Sequence, residues 1–409
     1  MAQQLTLSLS DMAFGGEAVG RSEGKAVFVP YALPGDVVRV EVVSDKGRYA
    51  RARLLDIVTP SPYRVAAPCP YFGVCGGCQW QHVEYTAQLE YKRSIVLSQL
   101  QRIAGLADAP VRSTYRMDEP WHYRNHVQFS VSEDGQLGFM AAGSHRVVPI
   151  AACLVMHALL TELYDAVDIE LPGLRRLSLR AGIGTGERMI VLEMEDDQPP
   201  EVEVDLPISF VLSLSDGTPV TLLGSSYIHE QLAGRIYRLS APSFFQVNTH
   251  QAETLISLVR TYLKATAGST VVDAYCGVGT FALELARTAG QVVGIESSAA
   301  ALADAAVNAE GLDNVRFVQG AVAEKLATLD VQAPLAVLDP PREGLGQEVI
   351  AALARLAAPR VVYVSCDPAT LARDIKGMLA AGYALREVQP VDMFPQTYHI
   401  ESVALLERL

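Results

Sequence analysis

The chain has 409 residues, and half of them are hydrophobic. A chain of this length is too long for a single hydrophobic core, which predicts two or three domains. Its formal net charge of -13 argues against a general nucleic-acid coat, because such a coat depends on long-range attraction to phosphate. No stretch approaches the roughly 18 consecutive apolar residues of a membrane span, and the first residues lack a signal-peptide pattern, which predicts a cytoplasmic protein without membrane contact.

The first 58 residues alternate short β-prone runs with glycine turns, a pattern typical of a small β-barrel. Four basic residues surround Tyr49 between two of these runs, with no acid among them: Lys46, Arg48, Arg51 and Arg53. They offer phosphate contacts, and Tyr49 offers a stacking face for a base. A solvated strand pair without a ligand is the alternative.

A proline-rich linker is followed by a group of cysteines with the pattern Cys69-x5-Cys75-x2-Cys78, and Cys153 lies far downstream. Four thiolates suit either zinc or an iron-sulfur cluster, and the spacing does not separate the two, although x5 is wider than is usual in zinc knuckles. Disulfides are a third interpretation, which the reducing cytoplasm disfavours.

The rest of the chain changes its pattern twice. Residues 85–104 have helical spacing, and strand-like runs between 120 and 235 predict a mostly β central domain. From about residue 240, helical and apolar runs alternate, which predicts an α/β fold with a doubly wound, Rossmann-like sheet. We therefore predict three domains, at residues 1–58, 59–238 and 239–409, with helix 84–105 packing on the last.

A glycine turn, Asp273-Ala-Tyr-Cys-Gly-Val-Gly-Thr280, lies between a predicted strand and a predicted helix. Its glycines let a ligand approach the backbone at a helix N-terminus. The next strand ends in Glu296, where an acid can bind both hydroxyls of a ribose. The turn lacks the third glycine of the dinucleotide fingerprint, which favours S-adenosylmethionine over NAD. A purely structural turn is the alternative.

A second turn, Asp339-Pro340-Pro341-Arg342, follows another predicted strand, and its prolines stiffen the exit so that Asp339 points to the ligand edge of the sheet. The turn resembles the Asn/Asp-Pro-Pro-aromatic motif of base-modifying methyltransferases. Because arginine replaces the stacking aromatic residue, the turn favours methylation of carbon over methylation of an amino group.

Cys366 ends the apolar run 361–366, and this puts a thiol at the carboxyl end of a predicted buried strand, where α/β sheets carry reactive groups. Carbon 5 of uracil is a poor nucleophile, and a thiolate that adds to carbon 6 generates an enolate that attacks a methyl sulfonium. Glu401, at the start of the final predicted strand, can then remove the proton from carbon 5. A buried inert cysteine and an ordinary surface glutamate are the alternatives.

Together these motifs resemble the bacterial RNA (uracil-5)-methyltransferases, specifically the iron-sulfur branch that modifies 23S ribosomal RNA. Residues 15–21 and 29–36 resemble the TRAM domain of that family, an OB-like RNA-binding barrel. The resemblance implies that the central domain carries a 4Fe-4S cluster. Its implied ligands are Cys69, Cys75, Cys78 and Cys153.

The same resemblance assigns the site residues. Cys366 matches the nucleophile and Glu401 the proton acceptor, while Gln246, in Ser243-Phe-Phe-Gln-Val-Asn248, matches a glutamine that contacts S-adenosylmethionine. The other implied cofactor contacts are Tyr275, Gly277, Gly279, Thr280, Glu296 and Asp339. Thr280 departs from the pattern, since several relatives carry asparagine there.

The leading prediction is a monomeric enzyme that methylates a uridine of 23S rRNA, with transfer RNA as the alternative substrate. Ribosomal RNA is preferred because the TRAM and cluster modules accompany that branch. A radical iron-sulfur methylthiotransferase is a second class, disfavoured because its cysteines have x3 and x2 spacings on a barrel. A non-catalytic RNA-binding protein is a third, and the presence of Cys366 and Glu401 argues against it.

Overall fold

The computed structural model of the protein describes residues 3–166, 171–201 and 206–409, so the few remaining residues of the predicted first and central domains lie outside it. The N-terminal part is a closed barrel of five strands, as the sequence predicts. Its strands are β1 Gln4–Met12, β2 Ala18–Ser22, β3 Lys25–Val29, β4 Val37–Asp45 and β5 Tyr49–Thr59, and they pair in the order β1-β2-β3-β5-β4. Alternate residues of these strands, such as Val38 and Val40, fill the interior.

Two of the four basic residues around Tyr49 form ion pairs with acidic residues that are distant in the sequence. Arg51 forms an ion pair with Glu17 at 3.1 Å, and Arg53 pairs with Glu41 of β4. Glu17 and Glu41 lie outside the segment 46–53, so the sequence of that segment alone does not predict these ion pairs. Pairing compensates part of the positive charge that this surface would otherwise offer to phosphate.

Helix α1, Tyr85–Gln99, follows the cysteine segment and begins at Glu84, whose carboxylate accepts a hydrogen bond from the Ala87 amide at 3.1 Å. It continues as a π-helical turn, Leu100–Ala104, which Gly105 ends with a positive φ of 75°. The helix therefore spans the predicted residues. It packs against the C-terminal part of the chain.

The central part is a seven-stranded sheet. Its strands are β6 His126–Val131, β7 Leu137–Met140, β8 Val147–Pro149, β9 Leu174–Ala181, β10 Arg188–Met194, β11 Ser209–Ser213 and β12 Pro219–Leu223, in the order β12-β11-β10-β9-β6-β7-β8. Helix α2, Ala158–Asp165, lies between β8 and β9 in the chain, and a hairpin of β13 Tyr227–Leu232 and β14 Arg235–Ser240 follows. The sequence predicts five of these strands and misses β7, β8 and the hairpin, whose short runs carry no clear alternation.

The C-terminal part is the predicted doubly wound sheet. Its strands are β15 Thr270–Ala274, β16 Gln291–Glu296, β17 Val315–Gln319, β18 Leu335–Leu338, β19 Arg360–Ser365, β20 Tyr383–Val391 and β21 Glu401–Arg408. Its helices are α3 Thr249–Leu263, α4 Thr280–Leu285, α5 Ala299–Asn308, α6 Val322–Thr328, α7 Gln347–Arg355 and α8 Pro368–Ala380. In the described residues, no helix is long and apolar enough to cross a membrane.

The order of this sheet is β17-β16-β15-β18-β19-β21-β20. Strands β15 to β19 run parallel, and β21 inserts antiparallel between β19 and β20. The sequence predicts β21 but misses β20. The segment 110–115 runs along β20, with the Arg112 amide donating to the Val388 carbonyl at 2.9 Å and the Tyr115 amide donating to the Pro390 carbonyl at 2.8 Å. This segment covers an edge that would otherwise be open to pairing.

A buried ion pair joins α1 to the C-terminal part. The Lys92 ammonium donates to Asp392 at 2.5 Å and to the Phe394 carbonyl at 3.0 Å, and both charged side chains are fully buried. Burial lowers the pKa of Lys92, and the charge of Asp392 opposes that shift. Removing one partner of a buried ion pair costs much stability, because the other charge stays buried without a counter-charge.

We expect Lys92→Met to lower the free energy of unfolding by about 3–5 kcal/mol, because it leaves the Asp392 carboxylate buried without a counter-charge. Arg39→Met is the matched control. Its partner Asp56 lies 3.3 Å away and both side chains are more than half exposed, so its loss should cost about 1 kcal/mol or less. Urea denaturation measures both values. An equal effect of the two variants would contradict the prediction, and Lys92→Met/Asp392→Asn should recover part of the loss.

Candidate active site

The glycine turn forms a concave backbone at the end of β15. Tyr275, Gly277 and Gly279 have positive φ values of 67°, 54° and 91°, and α4 begins at the next residue, Thr280. The Tyr275 amide donates to the Ile295 carbonyl at 2.9 Å, which ties the turn to β16. The Gly279 amide donates to the Cys276 carbonyl at 2.9 Å, so hydrogen bonds within the protein fix the turn directly before α4. Contact of this turn with a ligand stays a prediction.

Glu296, the last residue of β16, faces this turn. One carboxylate oxygen accepts a hydrogen bond from the Gly277 amide at 3.1 Å, and the other accepts from the Ser297 and Ser298 amides at 2.7 and 2.8 Å. Three backbone donors therefore fix the orientation of the carboxylate. A fixed carboxylate with remaining lone pairs can accept hydrogen bonds from the hydroxyls of a ribose.

Gln246 reaches the same edge from the segment that precedes α3. Its side-chain amide lies 3.4 Å from Asp339, at the end of β18. The central sheet holds this segment, since Asn125 donates to the Gln246 carbonyl at 3.0 Å, and the buried Arg180 guanidinium donates to three carbonyls between residues 240 and 243 at 2.8–2.9 Å. The sequence analysis missed both residues. Arg180 is one of three arginines in β9, and only its burial, which the sequence does not display, separates it from Arg175 and Arg176.

Several carboxyl groups meet around the turn without a buried cation beside them. Asp273 is fully buried, and its pKa is raised by burial and further by the charges of Asp339 and Glu296. Asp339 lies at the mouth of the cleft with a partly exposed side chain, yet the surrounding protein raises its pKa to about 7. The excess of negative charge fits a positively charged ligand such as a sulfonium.

Cys366 and Glu401 lie on adjacent strands of the sheet. Cys366 directly follows β19, Glu401 begins β21, and the register that pairs Ser365 with Ser402 brings the two together. Burial, and after it the charges of Glu401 and Asp339, raise the pKa of the Cys366 thiol to about 12. Burial and the charge of Asp339 also raise the pKa of Glu401. The nucleophile and the base predicted from the sequence therefore share one acidic cleft.

Two further side chains of this region, Arg342 and His399, were not assigned a role from the sequence. The exposed Arg342 opposes the carboxylates and lowers the pKa values of both Cys366 and Glu401. The pKa of His399 is lowered to about 4 by burial and then by the charge of Arg342, so its imidazole is neutral near pH 7. Their positions, in the Asp339-Pro-Pro-Arg342 turn and two residues before Glu401, were visible in the sequence.

The four cysteines of the central part lie far from this cleft in the sequence but close to one another in space. They line one cavity of about 350 Å³, together with Arg124. The cysteines are Cys69, Cys75, Cys78 and Cys153, and none of the six in the chain, all of which are described, forms a disulfide. Burial raises the pKa of Cys78 to about 12, and the charges of Cys153 and Cys75 contribute. Among the described residues, no three histidine, cysteine or acidic side chains converge on one metal ion.

Comparisons with known proteins agree with this geometry. Residues 206–409 match the family described as tRNA (Uracil-5-)-methyltransferase, and residues 3–55 match the TRAM domain. A protein described as an uncharacterized RNA methyltransferase from Gloeobacter violaceus is 39% identical over 99% of this chain and 97% of its own length. A protein with the same description from Halalkalibacterium halodurans is 38% identical over 98% of this chain and 96% of its own length. The chain belongs to the RNA (uracil-5)-methyltransferase family.

A solved structure supports the same membership over the whole fold. The tRNA (uracil-54, C5)-methyltransferase of Pyrococcus abyssi, in complex with S-adenosyl-L-homocysteine, superposes with a TM-score of 0.77 at 28% identity and covers 98% of this chain and 100% of its own. The prediction of an S-adenosylmethionine-dependent RNA methyltransferase with an N-terminal barrel is confirmed. The roles of the individual site residues stay predictions. They include Thr280, the first residue of α4.

The acidic cleft of this methyltransferase should make the free Cys366 thiol slow to alkylate. With a pKa of about 12, its reaction with iodoacetamide should rise about tenfold per pH unit between pH 7 and 9, because the thiolate is the minor form. Asp339→Asn removes a negative charge and should speed alkylation several-fold at pH 8, the gain in thiolate exceeding the loss of nucleophilicity. Peptide mass spectrometry of residue 366 follows the reaction.

The exposed Asp313→Asn is the control for the loss of one carboxylate, and it should leave the alkylation rate unchanged. A rate for Cys366 that is already independent of pH above 7 would show a thiolate in the free enzyme and contradict the prediction.

Proposed function

We propose that this enzyme transfers a methyl group from S-adenosylmethionine to carbon 5 of a uridine in RNA, with Cys366 as the nucleophile and Glu401 as the base. The observation that carries the proposal is the pair itself: a thiol at the end of β19 and a buried carboxyl at the start of β21, adjacent in the sheet and beside Asp339. Carbon methylation of a pyrimidine needs both groups on one base.

In the proposed reaction, the Cys366 thiolate forms a bond to carbon 6 of the uracil, and the displaced electron pair makes carbon 5 nucleophilic. S-adenosylmethionine supplies an electrophilic methyl group on a positively charged sulfur. Carbon 5 takes that methyl group as the bond from carbon to sulfur breaks. Glu401 then removes the proton from carbon 5, and the electron pair of that bond expels the Cys366 thiolate, so that the enzyme and the methylated base separate.

The same cleft supports binding of the methyl donor. Glu296 offers its fixed carboxylate to the ribose, the turn from Tyr275 through Gly277 and Gly279 offers its backbone, and Gln246 and Asp339 flank the cleft on the other side. A positive charge among these acids lowers the pKa values of Cys366 and Glu401. Donor binding would therefore favour the thiolate and the carboxylate that the chemistry requires.

The RNA substrate that we propose is 23S rRNA, because the barrel and the four-cysteine site are the modules of the branch that modifies it. Lys46, Arg48 and the 40% exposed Tyr49 on the barrel offer contacts to a phosphate backbone and a base. Transfer RNA is the second candidate. It is favoured by the printed name of the matching family and by the Pyrococcus abyssi enzyme.

Two variants test this mechanism on in vitro transcribed 23S rRNA and tRNA. Cys366→Ala should abolish turnover and keep the affinity for S-adenosyl-L-homocysteine, because the thiol acts on the base. Glu401→Gln should accumulate a covalent protein–RNA complex that survives denaturing electrophoresis, because elimination needs the carboxylate. A Cys366→Ala enzyme with normal turnover would sink the mechanism. Mapping 5-methyluridine in cells with and without the gene decides the substrate, and loss confined to tRNA would overturn 23S rRNA.

We also propose that Cys69, Cys75, Cys78 and Cys153 bind a 4Fe-4S cluster. The four thiols line one cavity, as the ligands of a single cluster would, and the resemblance to the iron-sulfur branch favours this cluster over zinc. Arg124 lines the same cavity and offsets part of the negative charge of four thiolates. Such a cluster supplies a rigid cross-link between the segment 69–78 and the loop at residue 153.

Metal analysis of anaerobically purified protein tests this proposal. We expect about four iron and four sulfide per chain, the content of one such cluster, with loss of both in Cys78→Ser. Cys276→Ser, a change in the cofactor turn, is the control that should keep the iron. Stoichiometric zinc in place of iron would refute the assignment.

A further inference from the structure

The loop between β20 and β21 leads directly to Glu401. After a bulge between Leu385 and Glu387, the pairing of β20 with β21 runs without a shift to Val391 opposite Glu401, so the conformation of the intervening loop sets where β21 begins. A shift of one residue would turn Glu401 to the other face of the sheet. The control of this loop therefore bears on the base of the reaction.

Gln396, in the middle of this loop, has a left-handed backbone with a φ of 68° and is buried. Residues other than glycine are disfavoured in this region, so neighbouring groups must hold the conformation. Its backbone amide donates to the side chain of Gln88 at 3.1 Å, and its own side-chain oxygen accepts from the Gln88 amide at 3.0 Å. The two glutamines thus form a reciprocal pair.

The segment that follows Cys78 binds the backbone carbonyl of Gln396. The backbone amides of Gln79 and Trp80, which directly follow Cys78, donate to the Gln396 carbonyl at 3.1 and 2.9 Å. Gln88 is itself buried and also donates to the Trp80 carbonyl at 3.2 Å, and to the Val83 carbonyl at 3.0 Å. One amide group of α1 therefore fixes both the cysteine segment and the loop.

The barrel contacts the same loop. The Trp80 indole donates to the Gly16 carbonyl at 3.2 Å, and a Cβ added at Gly16 would lie 2.9 Å from the Cβ of Tyr398. The Tyr123 hydroxyl, from the central part, donates to the Pro395 carbonyl at 3.1 Å. Every N-terminal part of the chain thus touches the residues that precede Glu401.

We propose that Gln88 and Gln396 are positioning residues for the removal of the proton from carbon 5: their reciprocal pair fixes the loop that sets Glu401 opposite Cys366. This inference rests on the proposed roles of Cys366 and Glu401. It assigns to two buried glutamines, 308 residues apart, a function in the last chemical step. The first steps, addition of the thiol and methyl transfer, depend on β19 and the cofactor turn, and in the described residues the side-chain hydrogen bonds of the pair go to other parts of the chain.

The test compares how much covalent protein–RNA complex forms with how fast it breaks down to product. Gln88→Ala, assayed with methyl-labelled S-adenosylmethionine and the RNA transcript that the wild-type enzyme methylates, should lower kcat by about ten- to a hundredfold with little change in KM. Labelled covalent complex should accumulate on denaturing gels, because the base is displaced while the nucleophile is not. Gln101→Ala, an exposed glutamine at the end of the same helix, is the matched control and should behave as wild type.

Gln396→Gly is the second variant, since glycine accepts the positive φ and keeps the carbonyl contacts to Gln79 and Trp80. It should fold even if Gln88→Ala does not, and should show the same accumulation to a smaller degree. Equal losses of complex formation and turnover in these variants would mean a general structural effect and overturn the inference. If Glu401→Gln traps the complex and neither glutamine variant does, the inference alone fails. If Glu401→Gln traps none, the proposed function fails.

Discussion

An excess of negative charge at one edge of the parallel sheet is the constraint on which the site depends. Asp273, Asp339 and Glu401 have raised pKa values there, and the exposed Arg342 is the guanidinium that opposes the last of them. The strand ends hold these carboxyl groups near one another, and both oxygens of the buried Asp273 carboxyl lack a hydrogen-bond partner in the described residues. A cation among them would favour their ionised forms, so this edge and a positively charged methyl donor are electrostatically complementary.

Residues outside the methyltransferase sheet hold the segments that flank the candidate site in place. Arg180 and Asn125, from the central sheet, hold the segment that carries Gln246. The pair of Gln88 and Gln396 ties the other side of the cleft to α1 and to the cysteine segment. A cross-link among the four cysteines would stiffen the second of these supports without taking part in the chemistry. The barrel contacts the same loop, since the Trp80 indole, which lies beside it, donates to the Gly16 carbonyl.

Much of the site is predictable because parallel strands end at a common edge. Asp273, Glu296, Asp339 and Cys366 each close an apolar run, and this alone brings them together. The supports are not predictable in this way, since Gln88 and Gln396 are ordinary glutamines that are 308 residues apart. Strands β7, β8, β13, β14 and β20 were missed because tertiary pairing, and not local alternation, defines them. Cys153 was grouped with the other three cysteines from the sequence as a fourth thiolate, and the family resemblance added the 4Fe-4S assignment, since spacing gives no distance across such a gap.

The insertion of β21 between β19 and β20 has a consequence for biosynthesis. Both neighbours leave the ribosome before β21, and each exposes an unsatisfied edge until β21 pairs with it. A growing chain can therefore present Cys366 and the glycine turn while Glu401, the proposed base, is not yet in place. Completion of the sheet and pairing of Glu401 with the strand beside Cys366 are one folding event, so the stability of the sheet and the geometry of the proposed catalytic pair are linked.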